Sequence, residues 1–298
     1  MSSIPDSPII SPDDPLPGSA VAARPSEGRR INWWRIIAYM VLIIFAIMYI
    51  GPLYMLINTS LKTLPEFFKS ATSLPETPNL DNFVDAWKQA NFPRLLLNSL
   101  IYTAVSTTLY IITAIFVAFP LARGLVRGHK LIFTLFVIAL FLPPALIPQF
   151  QLILRMGLYN NPVGYILFFL INPIGIIILV GYIRTLPREL DESAAMDGCG
   201  YFRFVWQVII PLSKPAIATV VVLHAIGIWN ELILPTIYLT SEEYFPVTRG
   251  LIVFQGVYGS NWPTLAAAVL MLTIPMIILF LALQKYIVSG LTAGAVKG

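Results

Sequence analysis

Long apolar stretches alternate with short polar segments along most of the chain. A helix that crosses a membrane needs about 20 consecutive, mostly apolar residues, and six stretches meet this requirement. None of them shows the alternation of apolar and polar positions that is typical of strands. The pattern predicts an all-α, polytopic membrane protein whose six transmembrane helices lie near Ile36–Ile57, Leu95–Leu121, Leu131–Leu154, Val163–Ile183, Ala216–Leu239 and Leu265–Val288.

Composition supports a membrane protein. Of the 298 residues, 57% are hydrophobic and 11% are charged, and the mean hydropathy is +0.78. Soluble domains carry about 25% charged residues, so this chain lacks the polar surface to cover a globule of its size. A disordered protein, a collagen and a nucleic-acid-binding protein are therefore excluded as the main class. The single cysteine, Cys199, permits neither an internal disulfide nor a Cys-rich metal site.

The basic residues indicate orientation. Most of the 19 lysines and arginines lie before the first span, after every second span and at the C-terminus. Lys and Arg are retained on the cytoplasmic side of membranes, so we expect both termini to be cytoplasmic. The net charge of +4 is explained by this topology and requires no nucleic-acid partner.

The first 32 residues differ from the rest. Six prolines and scattered Asp and Ser leave residues 1–32 without the apolar surface needed to fold alone, which predicts a disordered cytoplasmic segment. It lacks the positive start and short apolar core of a cleaved signal peptide, so we expect the first span to act as an uncleaved anchor. Residues 33–298 then form one six-helix transmembrane domain.

Sequence signatures of catalysis are missing. The chain has no G-x-x-x-x-G-K-[ST] phosphate loop, so ATP hydrolysis by this polypeptide is not expected. The two histidines, His129 and His224, lie in different regions and suggest no metal site. Transport, signalling or scaffolding are the remaining classes, and we expect a chain that is not an enzyme.

The segment between the fourth and fifth spans has a helical pattern. Leu186, Leu190 and Ala194 recur every four residues, Pro187 suits a first helical turn, and Gly198 suits the left-handed residue that ends a helix. A second amphipathic segment follows and ends before Pro211.

This segment also carries four acids, Glu189, Asp191, Glu192 and Asp197, on a side where basic residues predominate. One interpretation is a helix pair that lies on the membrane surface. An acidic helix is poorly suited to an anionic lipid surface, however, and a basic groove on a partner protein fits it better.

The same residues resemble a known family. Glu192-Ser-Ala-Ala-Met-Asp-Gly198, followed after nine residues by Val208-Ile-Ile-Pro211, resembles the E-A-A-x-x-x-G-x(9)-I-x-L-P loop of ABC importer permeases. The departures, Ser193 for Ala, Val208 for Ile and Ile210 for Leu, are mild. Further motifs resemble the carbohydrate-importer branch, in particular the shorter maltose-transporter permease: Ser60-Leu-Lys-Thr63, Asn98-Ser-Leu100, Trp229-Asn-Glu231 and the ending Gly290–Gly298.

The resemblance implies a heteromeric importer in a bacterial-type inner membrane. Its partners would be a homologous second permease, two ATPase subunits that bind ATP and Mg²⁺, and an extracytoplasmic sugar-binding protein. This chain itself would bind no cofactor. The resemblance makes the loop a coupling helix seated in the ATPase, and the coupling residues would be Glu189, Asp191, Glu192, Ala194, Asp197, Gly198 and Pro211.

The fifth span holds the acid Glu231 at membrane depth, with His224 seven residues earlier on the same helical face. Intramembrane charges usually face a cavity or a partner, so we expect a sugar pathway lined by His224, Trp229, Asn230 and Glu231. A hydrated outer helix end for Glu231 and a lipid-interface position for Trp229 are the alternatives.

Polar residues and helix breakers mark other spans. Asn98, Ser99, Thr103, Ser106 and Thr107 give the second span a polar side, explained either by interhelical hydrogen bonds or by substrate contact. Breaks in helical hydrogen bonding are expected at Pro143, Pro144, Pro148, Asn172 and Pro173.

A glycine-rich polar segment precedes the last span. The resemblance implies contact of this loop with the binding protein through Gln255, Gly256, Tyr258, Gly259 and Asn261, and an ordinary connector is the alternative. The sequence does not predict which sugar is carried. Two alternatives to a sugar importer are the same machinery with another solute, such as glycerol phosphate, and an ion-driven secondary transporter.

Overall fold

A computed structural model describes residues 33–89, 91–256 and 259–295. The predicted disordered segment, residues 1–32, lies outside the described residues. The chain divides into two units, Met1–Gly51 and Pro52–Gly298. The described part of the first unit is the N-terminal portion of one long helix, and every contact reported below lies within the second unit.

The structure is built from helices joined by short connections. Numbered along the chain, they are α1 Trp33–Ser60, α2 Leu64–Lys69, α3 Asp81–Gln89, α4 Phe92–Arg123, α5 His129–Ala139, α6 Leu146–Arg155, α7 Pro162–Phe168, α8 Pro173–Ile183, α9 Glu189–Met196, α10 Tyr201–Phe204, α11 Ile210–Leu212, α12 Lys214–Trp229, α13 Ile233–Tyr238, α14 Val247–Gly250 and α15 Trp262–Ala295.

A few short elements interrupt this helical pattern. A π-helical turn, Val205–Ile209, joins α10 to α11, and two 3₁₀ turns cover Glu242–Tyr244 and Leu251–Phe254. Two-residue strands, β1 Gln255–Gly256 and β2 Gly259–Ser260, pair antiparallel.

Among the described residues, three helices are long and apolar enough to cross a membrane, namely α1, α4 and α15. Two bent pairs also qualify if each counts as one span. Helices α7 and α8 meet at 48°, and the segment Tyr201–Leu212 meets α12 at 83°. The predicted helical fold class is therefore confirmed, and three to five segments of the described chain are long and apolar enough to cross a membrane. Six spans stay a prediction.

Three expected spans are not continuous helices: 131–154, 163–183 and 216–239. The stretch 131–154 is split into α5 and α6 at the expected break, because Pro143 and Pro144 lack the backbone N–H donors that a helix requires. The stretch 216–239 is split after Trp229 into α12 and α13. The expected break at Asn172 and Pro173 is confirmed, since the Asn172 side chain accepts from the N–H of Ile174 and caps α8.

The largest buried core lies between α4, α8, the π-helical turn and α12. Ile115, Leu179, Ile183 and Val205 are fully buried there. A second core joins α3 and the start of α4 to α12 and α15. The long helices α4 and α12 therefore each contribute to both cores.

The segment after α1 folds around a buried lysine. Lys62 has no exposed surface, and its ammonium donates to the carbonyls of Ser70 at 2.7 Å and Ala71 at 3.1 Å and to Ser73 Oγ at 3.2 Å. The Asn82 amide donates to the carbonyls of Ser60 and Lys62. The Ser60–Thr63 motif thus organises the connection between α1 and α4, with the ammonium bonded to uncharged acceptors.

Candidate functional site

Helix α9 is seated on the main core by its apolar stripe. Leu186, Leu190 and Ala194 pack against the buried residues of α4, α8 and the π-helical turn, as their four-residue spacing predicts. The helix begins at Glu189 with Arg188 as its N-cap, so Pro187 precedes the first turn and does not lie within it. Ser193 replaces the alanine of the resembled motif. Its hydroxyl donates to the carbonyl of Glu189 at 2.8 Å and therefore has a hydrogen-bond partner within the helix.

Gly198 ends α9 in the left-handed conformation that the sequence predicts, with φ of +67°. The N–H of Cys199 donates to the carbonyl of Ala194 at 2.9 Å, and that of Gly198 to the carbonyl of Ala195 at 3.1 Å. These two bonds form a Schellman motif, which satisfies carbonyls that the helix end would leave free. A Cβ at Gly198 would meet no atom within 4 Å, so backbone conformation, and not space, is what favours glycine here.

The solvent-facing side of α9 carries acids and a methionine. Glu189, Glu192 and Asp197 are exposed, and the Met196 side chain is 83% exposed. Within the described part of the chain, none of these three acids forms an ion pair. We call Glu189, Glu192, Met196 and Asp197 the α9 surface. Sequence reasoning found its acids but missed Met196, which has no motif to mark it.

Asp191 differs from the other acids, because it is paired within the chain. Its Oδ2 lies 2.7 Å from Arg123 Nε, and the Arg123 side chain is only 5% exposed. The other two nitrogens of the guanidinium donate to the carbonyls of Leu186 at 3.0 Å and Pro187 at 3.2 Å. Burial raises the pKa of Asp191, and the attraction of Arg123 opposes this rise. Arg123 thus holds the start of α9 on the end of α4.

The chain after α9 turns sharply into α12. Tyr201 donates its hydroxyl proton to the carbonyl of Phe116 on α4. Pro211 lies in α11, directly after the π-helical turn and before the 83° bend at Ser213. Trp206 and Phe202 are largely exposed beside it, at 58% and 73%. The segment Tyr201–Leu212 thus joins α9 to α12.

His224 is buried on α12 and has a partner on each ring nitrogen. Nδ1 lies 3.1 Å from Thr107 Oγ1, and Nε2 lies 2.8 Å from the carbonyl oxygen of Phe169. The imidazole also stacks on the Tyr110 ring, with centroids 4.2 Å apart. His224 therefore joins α12 to α4 and to the end of α7, and its nitrogens are occupied by the protein itself.

Trp229 ends α12 and is 3% exposed. Its indole N–H donates to the carbonyl of Leu272 on α15 at 3.2 Å. The ring packs in the core between α12 and α15, which fits neither a lipid-interface position nor a freely exposed stacking surface.

Glu231 caps the short helix after the break. Its Oε1 accepts from the N–H groups of Ile233 at 2.8 Å and Leu234 at 3.1 Å, which are donors that α13 leaves free. Asn230 is exposed, and its amide donates to the carbonyl of Ile226. The sequence did not predict this capping role, since it placed Glu231 inside a continuous helix.

His224 and Glu231 border one hollow of about 210 Å³, which we call the Glu231 hollow. The seven-residue spacing predicted this shared face, and Gly227 lies between them on it. Asn172 supplies a further polar group, and the remaining wall is formed by Phe168, Phe169, Ile171 and Ile228.

A larger polar hollow of about 490 Å³ lies beside the start of α4. We call it the Arg94 hollow. Arg94 pairs with Glu243 at 3.4 Å, and the Arg249 guanidinium lies 4.6 Å from the centroid of the Phe245 ring. Gln89, Asn91 and Glu242 complete its polar lining. These residues were not predicted, because they come from α3, from the start of α4 and from the segment between α13 and α15, which are far apart in the sequence.

The polar side of α4 is used mainly for hydrogen bonds within the protein. Asn98 donates to the carbonyls of Glu243 and Phe245, and Ser99 Oγ accepts from the N–H of Val247 at 2.8 Å. Thr107 contacts His224, as described above. Of the two explanations that the sequence left open, hydrogen bonds between segments account for these three residues.

The segment before α15 forms the small β1–β2 hairpin. Gln255 pairs with Ser260, and Gly256 pairs with Gly259. Asn261 Oδ1 accepts from the N–H of Thr264 at the start of α15. Tyr258 lies outside the described residues, and the contact of this loop with a binding protein stays a prediction. Within the described residues, no group of three His, Cys, Asp or Glu side chains could hold a metal ion.

Comparison with protein families matches residues 86–293 to the binding-protein-dependent transport system inner membrane components. A melibiose/raffinose/stachyose import permease, MelC of Bacillus subtilis, is 33% identical over 280 residues, which are 90% of this chain and 99% of MelC. The arabinooligosaccharide transport permease AraQ of the same organism is 31% identical, over 89% of this chain and 96% of AraQ.

A solved structure shares the fold. This chain is similar to a subunit of a bacterial ABC transporter involved in the import of the acidic polysaccharide alginate, with a TM-score of 0.79 and 24% identity. The match covers 89% of this chain and all of the other.

Proposed function

Because the chain belongs to the binding-protein-dependent transport system inner membrane components, we propose that it is one permease subunit of an ATP-driven importer of sugars or oligosaccharides. The sugar class is supported by relatives that import melibiose, raffinose, stachyose and arabinooligosaccharides. The chain is a transport subunit, and in this proposal it pairs with a second permease, two ATPase subunits and an extracytoplasmic sugar-binding protein. ATP and Mg²⁺ bind to the ATPases.

We propose six crossings with both termini in the cytoplasm. The third crossing is then the broken pair α5 and α6, and the fifth is α12 with α13. This orientation places the α9 surface in the cytoplasm and the Arg94 hollow on the opposite side, where sugar arrives. Most basic residues then lie on the cytoplasmic side.

The α9 surface is the proposed contact with the ATPase. Glu189, Glu192 and Asp197 offer unpaired negative charge, which favours a basic cleft, and Met196 offers an exposed side chain that adapts its shape to a pocket. The observation that carries this proposal is that α9 is seated on the helix core by one face and leaves its acidic face free. Gly198 allows the chain to leave the helix without strain.

Two paths lead from α9 into the membrane domain. The Arg123–Asp191 pair joins α9 to the 32-residue helix α4, about 48 Å long. The other end of α4 holds the wall of the Arg94 hollow through Asn98 and Ser99. The second path passes through Pro211 and the 83° bend into α12, which carries His224 and ends beside Glu231. A shift of α9 would therefore move the walls of both hollows, as alternating access requires.

The sugar pathway is proposed to run past the Glu231 hollow and the Arg94 hollow. Sugar hydroxyls need both donors and acceptors, and the Arg94 hollow supplies guanidinium, carboxylate and amide groups. Glu231 shapes its hollow by fixing the start of α13, and its second carboxylate oxygen is the group with which it would reach a sugar. The β1–β2 hairpin, with Gln255, Gly256, Tyr258, Gly259 and Asn261, is the proposed contact with the binding protein.

Copurification tests the subunit composition. The full chain is expressed with its chromosomal neighbours and purified through an affinity tag in mild detergent. We expect an ATPase and a second permease to copurify in fixed ratio, and a sugar-binding protein to join them when sugar is added. Isolation of the chain as a single, transport-competent protein would contradict the proposal.

A further inference from the structure

We propose that a basic hollow of about 260 Å³, beside the base of α9, binds a phosphate group. The basic hollow lies where α4 ends, α5 begins and the connection from α8 to α9 passes. Its lining consists of Ala122, Arg123, Gly124, His129, Arg184 and Arg188.

The charges of this hollow come from segments far apart in the sequence. The Arg123 side chain is 5% exposed, pairs with Asp191 and donates to the carbonyls of Leu186 and Pro187. It therefore contributes mainly charge to the hollow. The Arg184 guanidinium lies 4.8 Å from the centroid of the Phe133 ring, and this contact fixes the side chain at the edge of the hollow. The fold thus keeps the arginines together despite their mutual repulsion.

The basic hollow has more positive than negative side chains around it. Within the described residues, no carboxylate lines the hollow, and neither Arg184 nor Arg188 forms an ion pair. Asp191 lies close enough to feel the charge of Arg188, but its carboxylate is held by Arg123. Of the three arginines, only Arg123 is paired with a carboxylate, that of Asp191. A bound anion would therefore neutralise part of the remaining positive charge.

A phosphate group matches the available donors. The planar guanidinium of arginine binds phosphate oxygens with two parallel N–H groups, and Arg184 and Arg188 are both exposed at the hollow. His129 adds a ring nitrogen to the lining, and its imidazole packs against Gly124. The volume is sufficient for a phosphate and several water molecules.

A lipid headgroup is the source that the position favours. The hollow opens at the ends of the apolar helices α5 and α8, where a membrane surface would lie. Basic pockets between transmembrane helices on the cytoplasmic side bind anionic headgroups. The choice of a lipid source rests on the proposed orientation, whereas phosphate binding itself rests only on the residues that line the hollow.

Native mass spectrometry of the purified complex that contains the full chain tests this site. Phosphatidylglycerol, phosphatidylcholine and inorganic phosphate are titrated separately. We expect the double variant Arg184→Gln/Arg188→Gln to bind phosphatidylglycerol about thirtyfold more weakly than wild type. The matched control Arg127→Gln/Lys130→Gln removes the same charge from exposed residues that do not line the hollow, and it should change binding little. The variant Arg184→Lys/Arg188→Lys keeps the charge but loses the paired N–H groups, so it should bind more weakly than wild type and more tightly than the Gln variant.

The outcomes separate the possible occupants. If only Arg184→Gln/Arg188→Gln weakens binding, and only the binding of phosphatidylglycerol, the occupant is a lipid phosphate. The same pattern with inorganic phosphate supports the site with a free phosphate as its occupant. Equal weakening by both pairs of Gln substitutions would show general surface attraction and overturn the proposal. Unchanged binding in Arg184→Gln/Arg188→Gln would overturn it as well, as expected if an acidic partner protein fills the hollow. Copurification of the importer subunits is measured on the same samples, so failure of the proposed function would be seen separately.

Discussion

At the residue scale, the end of α9 depends on one backbone angle. Gly198 has φ of +67°, where a side chain costs about 1–2 kcal/mol. Gly200 is a matched control, because it is equally exposed, meets no atom within 4 Å and has an extended backbone that suits valine.

We predict that Gly198→Val lowers sugar-stimulated ATP hydrolysis and uptake together by about five- to thirtyfold, the factor that such strain corresponds to. Gly200→Val should remain near wild type. Rates in reconstituted vesicles, normalised to permease content, are the measurement. Equal rates for the two variants would show that the turn at Gly198 is not needed for transmission.

Glu231 allows its capping role to be separated from its charge. Oε1 accepts two backbone N–H groups, and a glutamine carbonyl can do the same. We predict that Glu231→Ala lowers uptake severalfold with the complex still assembled, because loss of a helix cap costs about 1 kcal/mol and loosens the start of α13. Glu231→Gln should retain most of the uptake. If Gln is as inactive as Ala in vesicle uptake assays, the negative charge itself serves the pathway.

Residues near one another in sequence were predictable, and residues brought together by the fold were not. The apolar stripe of α9, the left-handed Gly198 and the shared face of His224 and Glu231 follow from spacing along one helix. The pairing of Arg123 with Asp191 joins positions separated by four helices, α5 to α8, so no local pattern reveals it. Nor does spacing predict that two backbone N–H groups donate to Glu231 Oε1, or that Thr107 and Phe169 occupy the two ring nitrogens of His224.

At the element scale, the junction of α4 and α9 depends on Arg123. Removing this guanidinium leaves Asp191 and two carbonyls without their donor, whereas removing the carboxylate leaves Arg123 with both carbonyls. We predict that Arg123→Met destabilises the complex by about 2 kcal/mol, more than Asp191→Asn does. Arg127→Gln, which removes an exposed cation at the same end of α4, is the control.

Thermal unfolding in detergent and the ratio of ATP hydrolysed to sugar transported report on this junction. Arg123→Met should lower the unfolding temperature and raise the ATP cost of each sugar, since α9 would move without moving α4. If Arg123→Met has the same unfolding temperature and the same ratio of ATP hydrolysed to sugar transported as Arg127→Gln, the Arg123–Asp191 pair does not transmit movement from α9 to α4.

The broken helices were predictable from the sequence only in part. The break within residues 131–154 was predictable, because Pro143 and Pro144 cannot donate within a continuous helix. The break at Asn172 and Pro173 was predictable, because Asn followed by Pro is a strong helix start. The break at Glu231 was not predicted, although Pro235 lacks the N–H that would donate to the Glu231 carbonyl in a continuous helix. That carbonyl accepts from the Thr248 hydroxyl at 2.7 Å.

At the scale of the whole molecule, topology is the first prediction. Single cysteines are introduced into a Cys199→Ser background, because Cys199 is the one native thiol. We expect Lys69→Cys, at a side chain 80% exposed, and Glu243→Cys, at one 49% exposed, to react with an impermeant maleimide in intact cells. Arg127→Cys should react only after the membrane is opened. Reaction of Arg127→Cys from outside would contradict six crossings with cytoplasmic termini.

The central claim is that this chain moves sugar with energy supplied by partner ATPases through the α9 surface. Vesicles containing the purified complex, with ATP inside and loaded sugar-binding protein outside, test it most directly. The account predicts sugar accumulation that requires ATP hydrolysis, and loss of both activities when Glu192 is changed to Lys on the exposed face of α9. Accumulation driven by an ion gradient, with no ATPase present and unaffected by Glu192→Lys, would contradict it.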